Sequence, residues 1–159
     1  MIRMPLEKVL SGIIMHGCNA QGVMNAGVAK ALKEAHPEIF ADYRRCFLER
    51  GLTLGQVVWT QKKPDLWIAS AITQEFYGRK PGVRYVSYEA IEKSALHVAQ
   101  KARETELPIH MPCIGAGLGG GNWLKIKPIF EFAFKELDWH IYTLEPQSAY
   151  SAETPKKPR

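Results

Sequence analysis

The chain has 159 residues, 46% hydrophobic and 23% charged, a composition typical of one soluble globular domain and unlike that of a disordered chain. No apolar run reaches the ~18–20 residues of a membrane helix, so the sequence predicts no membrane partner. The net charge is +5, but residues 156–159 supply three of those charges, and no basic stripe with interleaved aromatics indicates nucleic acid.

Strand and helix patterns alternate along the first half of the chain. The short apolar run GIIMHG is typical of a buried strand, and polar, glycine-containing residues follow it. His36-Pro37 predicts the end of one helix and Gly51 the end of the next. The predicted elements are a strand at 12–17, helices at 26–35 and 38–49, and strands at 56–60 and 66–73.

The second half continues the alternation. Ser87 is a good N-cap for a long helix, and Asn122 for another, although Pro128 predicts that the second helix starts a few residues after Asn122. The predicted elements are a loop at 75–86, a helix from Ser87 to about 104, a strand at 107–114, the helix after 122, a strand at 139–144 and a polar, loose tail at 146–159.

This order predicts an α/β fold with helices on both faces of one sheet. In such sheets ligands bind beyond the carboxyl ends of the strands. Glycine-rich turns follow the first strand, after Gly17, and the strand that ends at Ile114. We therefore expect the two turns to share one crevice.

The run IGAGLGGGNW, residues 114–123, has five glycines in ten residues. A surface linker is a poor interpretation because strand and helix patterns adjoin the run. It matches G-x-G-x-x-G, but only 39 residues follow Gly120, too few for half of a dinucleotide-binding fold. A cradle of backbone N–H groups for a phosphate is favoured over a simple tight turn.

The first turn repeats this design, and its amide side chains Asn19, Gln21 and Asn25 are suited to sugar hydroxyls. Cysteines at 18, 46 and 113 are odd in number, widely spaced and without a CxxC pair. This usage predicts reduced thiols, a cytoplasmic protein, and neither a disulfide framework nor a metal site. No cofactor is predicted.

The segments GIIMHGCNAQGVMNAGVAKAL, LGQVVWTQ, SAITQ, RYVSYEAI and MPCIGAGLGGGNW occur in the order found in macro domains. They resemble the branch that contains ADP-ribose 1''-phosphate phosphatase-like proteins and terminal ADP-ribose glycohydrolases. The resemblance implies a three-layer α/β/α sandwich with a mixed central sheet over residues 1–145. It also implies a cleft for ADP-ribose or ADP-ribose 1''-phosphate, with an ADP-ribosylated macromolecule as a further candidate partner.

The resemblance also implies positions for the ligand. Asn19 would face the distal ribose, and Leu144 would pack on adenine. The implied ligand-binding residues are Gly22, Val23, Met24, Asn25, Ala26, Gly27, Val28, Gln74, Cys113, Ile114, Gly115, Ala116, Gly117, Leu118, Gly119, Gly120, Gly121 and Leu144.

Departures from the family pattern bear on the chemistry. Gln74 and Gly119 stand where the resembling glycohydrolases carry a lysine and an aspartate, and Asn122 replaces a frequent aspartate. Since none of these can act as a base, the candidates for orienting water are Asn19, His16 and Asn122. Hydrolysis of ADP-ribose 1''-phosphate is the leading function, with a non-catalytic ADP-ribose-binding module as the alternative and an ADP-ribosyl glycohydrolase as a weaker one.

Overall fold

The computed structural model describes residues 1–144, and the tail predicted at 146–159 lies outside that range. After a short 3-10 helix at Leu6–Lys8, five strands and four helices follow. They are β1 (Gly12–Asn19), α1 (Gly27–Ala35), α2 (Pro37–Arg50), β2 (Val57–Lys63), β3 (Leu66–Gln74), α3 (Tyr88–Thr105), β4 (Ile109–Met111), α4 (Trp123–Ala133) and β5 (Trp139–Ile141).

The strands form one sheet in the order β2-β3-β1-β4-β5. β3, β1, β4 and β5 are parallel, and β2 pairs with β3 in the antiparallel sense. The predicted mixed sheet is therefore confirmed. The carboxyl ends of the four parallel strands meet at one edge, where the loops that follow them converge.

Alternate residues of β1 supply two separate cores, because successive strand side chains point to opposite faces. Ile13 and Met15 pack with residues of α3 and α4, while Ile14 and Cys18 pack with residues of α1 and α2. This arrangement is the three-layer α/β/α sandwich that the resemblance implied.

Several boundaries differ from the sequence prediction: β1 and β2 extend to Asn19 and Lys63 instead of 17 and 60, and β5 ends at Ile141 instead of 144. Two further differences involve prolines. The strand predicted at 107–114 spans only Ile109–Met111, because Pro108 and Pro112 flank it and neither can donate a ladder hydrogen bond. The helix expected to start a few residues after Asn122 instead begins at Trp123, with Pro128 inside it. The helix tolerates Pro128 because the proline removes a single helical hydrogen bond, the one to the carbonyl of Leu124, and Leu124 lies on the exposed face.

No helix within residues 1–144 is long and apolar enough to cross a membrane.

Candidate functional site

A cleft of about 490 Å³ lies at the carboxyl edge of the sheet. Its walls are the segments that follow β1, β3, β4 and β5, so the two glycine-rich turns do share one crevice. The volume falls within the ~300–1,000 Å³ typical of small-molecule sites.

Most of the residues predicted to bind ligand line this cleft, and a few do not. Those in the lining are Asn19, Val23, Met24, Asn25, Ala26, Gly27, Val28, Gln74, Cys113, Ile114, Gly115, Gly117, Leu118, Gly119 and Leu144. Those outside it are His16, Gly22, Ala116, Gly120, Gly121 and Asn122.

Both the nitrogen and the oxygen of the Asn19 side-chain amide form hydrogen bonds within the first loop. Its Nδ2 donates to the Val23 carbonyl oxygen at 2.8 Å, and its Oδ1 accepts from the Gln21 N–H at 2.9 Å. Tyr43 of α2 lies behind it, with its hydroxyl 2.6 Å from the Asn19 carbonyl oxygen and 2.9 Å from Oδ1. The same hydroxyl accepts from the Gly22 N–H at 3.1 Å, so Tyr43 ties both ends of the turn to α2.

The glycine run is fixed against the loop that precedes α3. The Gly119 carbonyl accepts from the N–H groups of Tyr85 and Val86 at 2.8 and 3.1 Å. Gly120 has φ +69°, and an added Cβ there would collide with the Val83 carbonyl oxygen. Gly120 therefore supports the run from behind, which explains why it does not line the cleft.

His16 lies on the α1–α2 side of the sheet. Its side chain is fully buried, with Nε2 2.8 Å from Ser70 Oγ and Nδ1 3.6 Å from Cys18 Sγ. Burial lowers the pKa of His16 to about 4, so the imidazole is neutral at pH 7 and a weak base. His16 therefore lies in the core beneath the cleft, whereas Cys18, two residues nearer the end of β1 on the same face, reaches the lining.

Asn122 is the N-cap of α4. Its Oδ1 accepts from the Leu124 N–H at 3.0 Å, and its own N–H donates to the Tyr88 hydroxyl at 3.0 Å. This geometry occupies the side-chain oxygen that was a candidate for orienting water.

For the loop predicted at 75–86, the sequence leaves open whether Tyr77 closes over a sugar or packs the loop down, and whether Arg79 reaches a terminal phosphate or lies on a solvated loop; both residues line the cleft. No ligand-binding role was predicted for several other lining residues, which are Gly17, Cys18, Ala29, Thr73, Gly78, Pro112, Tyr142 and Thr143. Most directly adjoin predicted positions at strand ends, and that adjacency was the available signal. The loop after β3 contributes Tyr77, Gly78 and Arg79 to the lining, and Gln74 Nε2 donates to the Phe76 carbonyl oxygen at 2.7 Å at the start of that loop.

Arg79 is the charged side chain in the cleft lining, which includes no carboxylate or imidazole among residues 1–144. The lining thiol of Cys18 is buried, and burial raises its pKa, so it stays protonated at neutral pH. No group of three potential metal ligands occurs in the described part of the chain. The site is therefore suited to binding an anion through backbone N–H groups and one guanidinium.

Comparison with known proteins gives the family. The model of the Macro domain matches residues 15–130. A 17.5 kDa protein from the tk-vs intergenic region of Enterobacteria phage T4 is 31% identical over 139 residues, covering 84% of this chain and 86% of its own. The chain belongs to the macro domain family.

Solved structures show the same fold. A macrodomain protein from Streptomyces coelicolor is 29% identical, with a TM-score of 0.73 and coverage of 89% of this chain and 96% of its own. DarTG from Thermosipho africanus, solved in complex with ADP-ribose, is 17% identical, with a TM-score of 0.70 and coverage of 90% of this chain and 42% of its own. At 17% identity, this likeness concerns the fold alone.

Proposed function

We propose that this macro domain binds ADP-ribose in the cleft and hydrolyses ADP-ribose 1''-phosphate to ADP-ribose and phosphate. The observation that carries the proposal is the junction of two glycine-containing loops at one sheet edge, in a cleft that Leu144 and Gln74 also line. Backbone N–H groups there would bind the diphosphate between two sugars. Reduced cysteines support a cytoplasmic location as part of this proposal.

Catalysis in this proposal rests on positioning and electrostatic stabilisation by loop N–H groups. Of the three candidates for orienting water, only Asn19 lines the cleft, and its amide already holds the first loop. His16 and Asn122 therefore receive no role at the reacting phosphate. Since no base lines the described part of the cleft, we expect slow turnover.

A binding module without turnover is the second candidate, and the absence of a carboxylate or imidazole from the lining contributed by residues 1–144 favours it. It predicts ligand affinity without product. A glycohydrolase remains weaker, because Gln74 and Gly119 occupy the positions of the lysine and aspartate that the resemblance assigns to such enzymes.

One sample separates these functions. Purified protein is titrated with ADP-ribose by calorimetry, then incubated with ADP-ribose 1''-phosphate and assayed for inorganic phosphate. The proposal predicts binding and phosphate release that persists in His16→Gln and Asn122→Ser. Binding with no phosphate at any pH would leave the binding module, and release of ADP-ribose from a modified protein or polynucleotide would indicate the glycohydrolase.

A further inference from the structure

Arg79 and Leu144 both line the cleft, on segments that follow strands at different places in the sheet. Arg79 follows β3 and Leu144 follows β5, and the sheet order places β1 and β4 between them. Three strand spacings of about 4.8 Å separate β3 from β5 by roughly 14 Å. With adenine at Leu144, as the resemblance implies, an extended ligand would direct its distal ribose toward the loop that carries Arg79.

The backbone on both sides of Arg79 is anchored. The Gln74 amide holds Phe76, and the Lys80 N–H donates to the Tyr85 hydroxyl at 3.2 Å. Tyr85 also packs against Gly78, where an added Cβ would collide with the Tyr85 ring and hydroxyl as they stand. These contacts fix the start of the Arg79 side chain, which lowers the conformational freedom lost when it binds a ligand.

Three other arginines are engaged with the protein. Arg44 donates to the Gly22 carbonyl at 3.1 Å, Arg45 pairs with Asp42 at 2.6 Å, and Arg84 stacks on Tyr88 at 4.4 Å. Arg79 has no hydrogen bond, ion pair or ring contact within residues 1–144. Its guanidinium is thus available at a cleft surface to which the other lining residues of the described part of the chain contribute no charge.

We infer that Arg79 determines specificity for a ligand whose distal ribose carries a phosphate monoester. A guanidinium offers two parallel N–H donors to phosphate oxygens, whereas the neutral hydroxyl of ADP-ribose offers no charge to pair. The inference rests on the proposed function and adds that the phosphorylated ligand is preferred over ADP-ribose itself.

The test compares Arg79→Gln with the matched control Lys80→Gln, which removes the same charge from the next residue, outside the cleft lining. Affinities for ADP-ribose and ADP-ribose 1''-phosphate are measured at low temperature, before turnover, by competition against a fluorescent ADP-ribose derivative. We expect the wild type and Lys80→Gln to prefer the phosphorylated ligand by about 10- to 100-fold. In Arg79→Gln that preference falls to about one, with ADP-ribose affinity within twofold of wild type.

Arg79→Lys keeps the positive charge but loses the two parallel N–H donors of the guanidinium. We expect it to retain only part of the preference for ADP-ribose 1''-phosphate over ADP-ribose. Equal affinities for the two ligands in the wild type, or an unchanged ratio in Arg79→Gln, would overturn the role of Arg79 while ADP-ribose binding stood. Equal weakening of both ligands in Arg79→Gln would also overturn it. Failure of the wild type to bind ADP-ribose would instead reject the proposed function, and this inference with it.

Discussion

At the scale of single residues, the shape of the first loop depends on a tyrosine outside the cleft lining. The Tyr43 hydroxyl is buried, and burial raises its pKa, so it remains a neutral donor and acceptor. It joins Asn19 and Gly22 across the turn. The loop that we propose to bind ligand is therefore held from α2.

Tyr43→Phe keeps the ring and removes these hydrogen bonds. Because the Gly22 N–H and an Asn19 oxygen lose their buried partner, we expect the free energy of unfolding to fall by about 1–3 kcal/mol. Urea denaturation measures the change. Tyr77→Phe is the matched control, since that side chain is exposed, and its stability should stay within about 0.5 kcal/mol of wild type. A Tyr43→Phe protein as stable as wild type would contradict the role of the hydroxyl.

The sequence identified Asn19 but not what Asn19 contacts. An amide beside a glycine turn predicts a binding loop. Tyr43 lies 24 residues later, and from the sequence it is only one more apolar residue of a helix, with nothing to indicate its contact with Asn19. For His16, the sequence suggested a chemical role but not where the side chain lies. A histidine at the end of a predicted strand is a reasonable candidate base, but the side to which it points depends on how β1 sits between two helical layers.

At the scale of elements, the glycine run and the loop before α3 form one unit. Gly120 meets the backbone of Val83 so closely that only a glycine fits, and its positive φ also favours glycine. Gly117, in the same run, has no atom within 4 Å of an added Cβ. The structural constraint on Gly120 is therefore absent at Gly117, although both belong to the same run.

Replacing each of these two glycines by alanine tests whether the constraint at Gly120 contributes to stability. Gly120→Ala should lower the free energy of unfolding by about 1–3 kcal/mol, because the backbone is strained and the two loops must move apart. Gly117→Ala should leave stability unchanged or raise it by up to about 1 kcal/mol. Thermal and urea unfolding of both variants measure this difference. Equal effects would show that the contact with Val83 does not set the loop's conformation.

Strand and helix order was predictable because apolar periodicity is local, and the glycine turns marked the cleft. Element ends were less predictable. Prolines at 108 and 112 shorten β4, while Pro128 lies inside α4 because the capped helix tolerates one lost bond on its exposed face. The part of the cleft from Tyr77 to Arg79 follows the Gln74 contact with Phe76, which no periodic pattern encodes.

At the scale of the whole molecule, burial of His16 makes stability depend on pH. Its pKa is about 4 in the folded protein against about 6.5 when unfolded. Between these values the unfolded chain binds a proton that the folded protein does not, so acid favours unfolding. From pH 7 to pH 5 this group alone should reduce the free energy of unfolding by about 2 kcal/mol.

The measurement is urea denaturation of wild type and His16→Gln at both pH values. The glutamine variant, whatever its absolute stability, should lack about 2 kcal/mol of the loss between pH 7 and pH 5. Burial also lowers the pKa of His110, but that residue is present in both proteins and its contribution cancels in the comparison. Identical losses in the two proteins would show that His16 is protonated in the folded state.

Calorimetric titration with ADP-ribose shows whether the cleft between the two glycine loops binds this ligand. The control is Gly117→Phe, which adds a ring at a cleft position where a Cβ meets no protein atom within 4 Å. Binding in this cleft predicts one ADP-ribose per wild-type chain and strongly weakened binding by a folded Gly117→Phe. No heat of binding from the wild type, or equal binding by both proteins, would contradict it.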